Sequence, residues 1–123
     1  MGDNKMNPAV LVHLLSKVSS IAKSDRLKPS GLARIEEFKT FYNSIRANYQ
    51  SLNERNIVSL VVSLQKLELR DVEVLKWVRD EILEGRLRGM SPMGLSAVLF
   101  TFAKFGLDDE ELMIKIVKTL ETN

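Results

Sequence analysis

The stretch LQKLELRDVEVL at residues 64–75 recurs as FAKFGLDDEELM at residues 102–113. The copies lie 38 residues apart, so that Lys66 aligns with Lys104. A fixed spacing of this size is typical of proteins built from stacked helical hairpins. One hairpin cannot bury its own apolar face, so neighbouring hairpins must cover it. The recurrence therefore predicts an α-solenoid with a period of about 38 residues.

The apolar residues around each copy follow the period of an α-helix. Residues 57–67 place apolar side chains at i, i+3, i+4, i+7 and i+10, and residues 95–105 repeat the pattern. A second apolar face follows each copy, which predicts two helices per unit. The members of these second faces are Val74, Leu75, Val78 and Ile82, and then Leu112, Met113, Ile116 and Leu120.

Punctuation residues predict where the helices begin and end. Ser91 followed by Pro92 is typical of a helix start, because Ser caps the first turn and Pro needs no hydrogen-bond acceptor there. Gly106 is predicted to end its helix in the left-handed conformation. Asp108 is predicted to cap the next helix, with Glu111 completing a capping box. The capping residues of the earlier copy are predicted to be Asn53 and Asp71.

A fainter third copy lies near the N-terminus, where LLSKV ends at Val18 and places Lys17 49 residues before Lys66. The additional residues fall in IAKSDRLKPSG, which is predicted to be a long connection. The following helix is predicted at about 32–49, with one face formed by Ile35, Phe38, Tyr42, Ile45 and Tyr49. The prediction is thus one all-α domain over 1–123, with six helices in hairpins at about 4–50, 52–88 and 90–122.

Composition argues against several classes of site. The 123 residues are 45% hydrophobic and 28% charged, as in an ordinary globular protein. Cysteine is absent and His13 is the only histidine, which disfavours zinc sites and nucleophilic triads. No apolar run is long enough to span a membrane, and no phosphate loop or metalloprotease motif occurs. Helix capping explains the acidic run 108–111 better than metal binding does. Taken together, these patterns predict a protein that is not an enzyme and that uses no metal, cofactor or small-molecule substrate.

Charge is spread unevenly along the chain, although the net charge is only +2. Up to Ser51 the chain has eight Lys and Arg and four Asp and Glu. From Met90 onward it has three Lys and Arg and five Asp and Glu. The first hairpin is therefore basic and the third is acidic, which indicates different neighbours at the two ends. The alternative is that these charges only solvate helix faces.

Lysine recurs at one repeat position, as Lys17, Lys66 and Lys104. A row of lysines, one per hairpin, can meet successive phosphates of a nucleic acid. A lysine in the last turn of a helix also favours the negative helix end and bonds free carbonyls. Both interpretations remain open at this point. Further candidate phosphate ligands are Arg86 and Arg88 in the glycine-bracketed turn and Lys39 and Arg46 in the first hairpin.

The sequence also predicts the roles of four other side chains. Trp77 is predicted to pack within or between hairpins, with base stacking as the alternative. Phe102 follows the core pattern, which leaves Phe100 to face a neighbouring hairpin or a partner. His13 is predicted to be a packed or half-exposed helix residue.

The stretch LFTFAKFGLDDEELM at residues 99–113, preceded by MSPMGLSAV, resembles the octotricopeptide and heptatricopeptide repeats of organellar RNA-binding proteins, chiefly through its AKFG phrase at residues 103–106. In those repeats, which occur upstream of RAP domains and in FAST-kinase-like proteins, the first helix commonly ends in Ala-Lys, an aromatic residue or Leu, and Gly. The chain departs from this motif in its second copy, which has Glu68 instead of Gly, and in its first copy, which has Ser19. The resemblance covers residues 52–123 well and the first hairpin loosely.

The resemblance implies a non-catalytic protein that binds RNA, with ribosomal RNA of a mitochondrial ribosome or a related ribonucleoprotein as the expected partner. Small members in protists are structural parts of such ribosomes. Three repeats would address only about three nucleotides at one base per repeat, which favours a protein held in an assembly with neighbouring proteins. A mitochondrial location is implied, with a cytoplasmic one as the alternative. The alternative function is a protein–protein adaptor that makes no RNA contact.

Overall fold

The computed structural model describes residues 7–24, 36–87 and 89–121, and these residues form only helices and turns. This confirms the predicted all-α class. The described helices are α1 (Pro8–Ser24), α2 (Glu36–Arg46), α3 (Glu54–Lys66), α4 (Val72–Leu83), α5 (Pro92–Lys104) and α6 (Glu110–Glu121), with a short 3-10 helix at Tyr49–Ser51.

The first helices of the hairpins form one row, in which α1 packs on α3 and α3 packs on α5. The second helices lie along this row: α2 packs on α1, and α6 packs on both α5 and α4. Because α3 has a neighbour on each side, its residues Ile57, Leu60 and Leu64 are fully buried and only Arg55 is exposed. The core therefore runs along the row and is centred on α3.

Three of the predicted helix caps are confirmed. Side-chain oxygens of Asn53, Asp71 and Ser91 accept hydrogen bonds from backbone N–H groups three residues later, at 2.9, 3.3 and 3.0 Å. Each such bond satisfies one of the N–H groups that a helix start leaves without a partner.

The predicted cap at Asp108 is wrong. Asp109 caps α6 instead, because its Oδ1 accepts from the N–H of Leu112 at 2.9 Å. Asp109 is the residue that lies 38 positions after the cap Asp71, so the repeat register places the cap there. Glu111 forms no capping box, since its carboxylate binds Arg79 at 3.2 Å.

The first helices of the second and third hairpins end in the same backbone conformation. Gly106 has φ 70°, as predicted, and the N–H of Leu107 donates to the carbonyl of Phe102 at 2.8 Å. Glu68, at the equivalent position, has φ 56°, and the bond from Leu69 to Leu64 is 2.9 Å. The change from Gly to Glu thus leaves the turn intact, at a cost of about 1 kcal/mol for a left-handed residue with a side chain.

Replacing Glu68 with glycine is therefore expected to raise the free energy of unfolding by about 1 kcal/mol. The converse change, Gly106→Ala, is expected to lower it by a similar amount, since an added Cβ meets no atom within 4 Å and only the backbone conformation opposes it. Urea denaturation of both variants measures the two effects. A loss of stability in Glu68→Gly would contradict the assignment.

The first hairpin departs from the predicted boundaries. Helix α1 continues to Ser24, seven residues beyond Lys17, so Lys17 lies within the helix and not at its end. Residues 21–24 of the predicted connection are helical, and its remainder lies outside the described residues. The LLSKV phrase therefore occupies the same repeat position as the later copies, but it is followed by more helix and not by a turn.

Helix α2 is shorter than predicted, since it ends at Arg46 and Tyr49 begins the 3-10 helix. Phe38, Ile45 and Tyr49 are nevertheless buried, and Tyr42 is half-buried, as the periodicity predicts. The start predicted at residue 32, and Ile35, lie outside the described residues. The apolar face is confirmed where it is described.

Met113 was predicted to belong to the buried face of α6, and this is wrong: its side chain is 49% exposed. Its counterpart Leu75 is fully buried in the second hairpin. The difference arises because the third hairpin covers the second, whereas no described helix covers the third.

Candidate nucleic-acid interface

A group of cations lies where the first helices end and the connections to the second helices begin. It consists of Lys66, Arg70 and Lys104, and we call it the hinge edge. Lys104 Nζ donates to the carbonyl of Gln65 at 3.2 Å, and Arg70 Nε donates to the carbonyl of Phe105 at 3.0 Å. Each turn thus supplies a cation to a carbonyl of the other turn. These reciprocal bonds bring the hinge edge together across the boundary between the second and third hairpins.

The hinge edge follows from the physics of helix ends. The last carbonyls of a helix have no intrahelical partner, and the helix dipole makes this end negative. Lys104 is the last residue of α5, but it bonds a carbonyl at the end of α3, so it caps its neighbour's helix. The sequence predicted that Lys104 would bond carbonyls at the end of its own helix, but the carbonyl it bonds belongs to the neighbouring one.

Within the described residues, no member of the hinge edge forms an ion pair with a carboxylate. Arg70 and Lys104 are exposed and bond only neutral carbonyls, while Lys66 is half-buried and forms no hydrogen bond there. A carbonyl positions a cation without cancelling its charge. Both charges therefore remain available to an anion outside the molecule.

Lys17 occupies the equivalent position on α1 and is exposed. Because α1 continues to Ser24, the free carbonyls at its end lie beyond the reach that the capping interpretation requires. Capping of its own helix end therefore does not explain Lys17. The row of repeat-position lysines extends along α1, α3 and α5.

Arg86 is placed differently from the hinge edge. Its guanidinium bonds the carboxylates of Glu81 and Glu84, with Nε 2.8 Å from Glu81 Oε2. The hydrogen bond that Arg86 donates to Glu81, followed by the one it donates to Glu84, raises the pKa of Arg86 above its ordinary value. The charge of Arg86 is balanced within the turn, so Arg86 is not part of the candidate interface. Arg88 lies outside the described residues.

The two named cations of the first hairpin also lie beside carboxylates. Lys39 is 3.8 Å from Glu36 on an exposed surface, where such a pair contributes little. Arg46 is held more firmly, since its guanidinium lies 2.9 Å from Glu73 and 3.0 Å from Asp71. The attraction of Asp71 is the main cause that raises the pKa of Arg46. Arg46 thus joins hairpins and is not free to bind phosphate.

Arg46 and Arg79 form a repeated contact that the sequence patterns did not reveal, and we call it the arginine clamp. Arg46 of α2 pairs with Asp71 and Glu73 at the start of α4, and Arg79 of α4 pairs with Asp109 and Glu111 at the start of α6. The acidic partners are 38 residues apart in each case. The hydrogen bond that Arg79 donates to Asp109 is the main cause that raises the pKa of Arg79.

The first clamp includes a tyrosine. The Tyr42 hydroxyl donates to Asp71 Oδ2 at 2.7 Å, while Asp71 Oδ1 caps α4. Burial, and then the bond to Asp71, raises the pKa of Tyr42 well above its ordinary value. Arg46 Nε lies near the same oxygen without hydrogen-bond geometry, so that its contact is electrostatic. Asp71 is therefore shared between a helix start and the preceding hairpin.

A D-x-E pair repeated at 38 residues, each preceded by an arginine in the previous second helix, is the sequence signal that identifies the arginine clamp. The hinge-edge member Arg70 was also missed, although it lies directly before the capping residue Asp71. Its position in a turn gave no periodic signal.

The remaining singled-out residues lie as follows. Trp77 packs edge-on against Tyr49, with ring centroids 5.2 Å apart, which confirms the packing interpretation. Phe102 is buried as predicted, while Phe100 is 61% exposed. His13 is an exposed residue of α1, so it is not packed in the core. Trp77 is occupied by Tyr49 and Phe105 is half-buried, so neither ring offers a free face for base stacking. Phe100 lies one turn before Lys104 on α5 and is exposed.

The described residues offer few features of other kinds of site. They hold no group of three His, Asp or Glu side chains placed to bind a metal ion. None of their helices combines the length and apolar character needed to cross a membrane. An open groove of about 540 Å³ lies beside the hinge edge, lined by Lys76, Phe102 and Asp108 among others.

No family model, curated protein or solved structure matches this chain. The proposed function therefore rests on the geometry and on the resemblance of the repeats.

Proposed function

We propose that this protein is a non-catalytic RNA-binding α-solenoid, held within a mitochondrial ribosome or a related ribonucleoprotein, whose hinge edge contacts backbone phosphates. One observation carries the proposal. Arg70 and Lys104 are oriented by neutral carbonyls, whereas Arg46, Arg79 and Arg86 are paired with carboxylates. Among these five cations, the three that pair with carboxylates have structural partners, whereas Arg70 and Lys104 are exposed and have no carboxylate partner among the described residues.

Phosphate is the part of RNA that this set suits. Lysine and arginine release counterions when they bind phosphates, and such contacts position a protein without reading sequence. Base reading in single-stranded RNA needs stacking surfaces, and Trp77 is packed against Tyr49. The proposed contact is with the RNA backbone, through the charges of the hinge edge.

The small footprint fits a protein embedded in an assembly. Three cations at the hinge edge, with Lys17 along the same row, can engage only a few phosphates. Non-specific contacts of this number give weak binding at physiological salt. Neighbouring proteins of the assembly would supply the remaining affinity through effective concentration.

The hinge-edge variant Lys66→Gln, Arg70→Gln, Lys104→Gln tests the proposal. Its affinity for a single-stranded RNA at low salt is expected to fall about tenfold or more, measured by fluorescence anisotropy. Glutamine retains an N–H donor for the carbonyl bonds, so circular dichroism should report an unchanged fold.

A matched control removes three charges elsewhere: Arg55→Gln, Lys115→Gln, Lys118→Gln. These exposed residues lie on the first turn of α3 and the later turns of α6, away from the hinge edge. The loss of RNA affinity in the control is expected to be less than a third of the loss in the hinge-edge variant. Equal losses would show that only net charge matters, and absence of RNA binding by the unmodified chain at low salt would refute the proposal. Lys17→Gln alone tests whether the site extends to α1.

A further inference from the structure

Helix α3 packs against α1 on one side and against α5 on the other. Helices α1 and α5 lie at the two ends of this row, and each has one side that no described helix covers. On α1 the uncovered side carries Val10, Leu14 and Ile21, which are 44%, 38% and 57% exposed. These residues recur at helical spacing, and Val10 and Leu14 each lie about 100° around the helix from a buried neighbour, Leu11 and Leu15 respectively. We call this apolar stripe the outer face of α1.

The third hairpin has an apolar outer face of its own, formed by Met93, Phe100, Met113 and Val117. Met93, Phe100 and Met113 are among the most exposed large apolar side chains described. Phe100 follows Met93 by two turns of α5, with the exposed Ser96 between them, and Val117 follows Met113 by one turn on α6. We call this surface the outer face of α5–α6.

The internal boundary between the second and third hairpins shows which sides of the helices meet. An added Cβ on Gly94 would lie 2.8 Å from a methyl group of Val58, so these two positions face each other across α3 and α5. Thr101 is two turns beyond Gly94 on the same side of α5 and is buried. Thr101 thus lies on the side of α5 that faces the preceding hairpin, and Val58 on the side of α3 that faces the following one.

Equivalent repeat positions show which residues of the two outer faces correspond to these contacting sides. Leu14 of α1 is the counterpart of Thr101, and Ser96 of α5 is the counterpart of Val58. Phe100, one turn after Ser96, is the counterpart of Val62. The outer face of α1 is therefore one half of the interface that the chain already forms internally, and the outer face of α5–α6 is the other half.

We infer that the outer face of α1 of one molecule docks on the outer face of α5–α6 of a second copy, which continues the stack head to tail. In this contact Leu14 meets Phe100, so that two exposed apolar side chains cover each other. Lys17, the counterpart of Lys104, reaches the carbonyl of Ala103, the counterpart of Gln65. The bond that joins the second and third hairpins is thereby repeated between molecules.

Charge complementarity favours a second copy as the occupant. The chain up to Ser51 carries eight Lys and Arg against four Asp and Glu, and the chain from Met90 carries three against five. A head-to-tail contact brings the basic end to the acidic end, whereas a two-fold contact would join like with like. The arginine clamp does not continue, because the counterpart of Arg79 is Val117. Apolar contact therefore replaces the ion pairs at this boundary.

Such an interface uses two different surfaces, so it does not close on itself and permits chains longer than a dimer. Sedimentation velocity of the unmodified protein over a wide concentration range is expected to show dimers and then longer species. Leu14→Asp blocks one face and Phe100→Asp blocks the other. Each variant alone is expected to remain monomeric, with an association constant reduced about tenfold or more.

Mixing the two variants gives the decisive result. Each variant retains the face that the other lacks, so an equimolar mixture is expected to form a one-to-one dimer and nothing longer. Val72→Glu, an exposed apolar position outside both faces whose counterpart is Glu110, is expected to associate like the unmodified chain. Circular dichroism and urea denaturation confirm that each variant is folded.

Two results would overturn the inference. The unmodified protein could remain monomeric at every concentration, in which case these faces serve some other partner. Either variant could still dimerise alone, which would indicate a symmetric contact through the unaltered face. RNA binding by the hinge edge is measured separately and does not depend on this outcome.

Discussion

Replacing Asp71 with alanine is expected to lower the free energy of unfolding by about 3 kcal/mol, because one carboxylate serves two elements. Its Oδ1 caps α4 through the N–H of Val74, and loss of a cap costs about 1 kcal/mol. Its Oδ2 accepts the hydroxyl of Tyr42, and a hydroxyl left without a partner in a largely buried site costs about 1–3 kcal/mol more. Arg46 adds little, since it is partly exposed to solvent.

Urea denaturation of Asp71→Ala and a double-mutant cycle with Tyr42→Phe measure these contributions. The two substitutions are expected to be coupled by about 1 kcal/mol, since each removes the same hydrogen bond. Asp71→Asn is the conservative comparison, because its carbonyl oxygen can still cap α4. Asp108→Ala, at an exposed residue that caps no helix, should change stability by less than about 0.5 kcal/mol. A loss below about 1 kcal/mol for Asp71→Ala, or additive effects in the cycle, would contradict the shared role.

Replacing Leu15 with alanine is expected to lower the free energy of unfolding by about 3 kcal/mol, as for other leucines removed from a packed core. Leu15 is fully buried on the side of α1 that packs into the row. The effect is important because α1 is the part of the chain whose repeat signal is faintest. A large loss would establish that α1 is an integral member of the stack.

The neighbouring Leu14 supplies the matched control. Leu14→Ala removes the same atoms one residue earlier, from a side chain that is 38% exposed, and should cost less than about 1 kcal/mol. Both variants are compared by urea denaturation at a protein concentration too low for association. Similar losses at the two positions would contradict the orientation of α1.

The elements that the sequence predicted correctly depend on short-range chemistry. The helical period identifies which residues of α3 and α4 are buried, and Asn53, Asp71 and Ser91 cap their helices through bonds to residues three positions away. The left-handed turn at Gly106 likewise depends on one residue type. Such features can be predicted because their causes lie within one turn of the chain.

The features that were missed depend on contacts between hairpins. Arg79 and Asp109 are 30 residues apart, and Arg70 and Phe105 are 35 residues apart. Periodicity assigns a residue to a helix face, but it does not determine which side chains meet across two helices. The choice between Asp108 and Asp109 failed for a related reason: both residue types suit a cap, and only the repeat register distinguishes them.

The structure shows how the two interpretations of the repeated lysine are related. Capping and phosphate binding were alternative interpretations of Lys104, and its bond to the carbonyl of Gln65 makes them compatible. The bond fixes the ammonium at the boundary between hairpins, and its charge is not balanced by a carboxylate of the described residues. The same contact thus gives Lys104 a structural role and holds its charge where the proposed phosphate contact would form.

The most direct test of the proposed RNA contact is the salt dependence of binding, measured for the unmodified protein and for Lys66→Gln, Arg70→Gln, Lys104→Gln. Each phosphate contact with single-stranded RNA contributes about 0.7 to the slope of log affinity against log salt concentration. If all three side chains of the hinge edge bind phosphates, the slope of the variant becomes shallower by about 2. An unchanged slope, or an equal change in the control Arg55→Gln, Lys115→Gln, Lys118→Gln, would contradict a phosphate interface at the hinge edge.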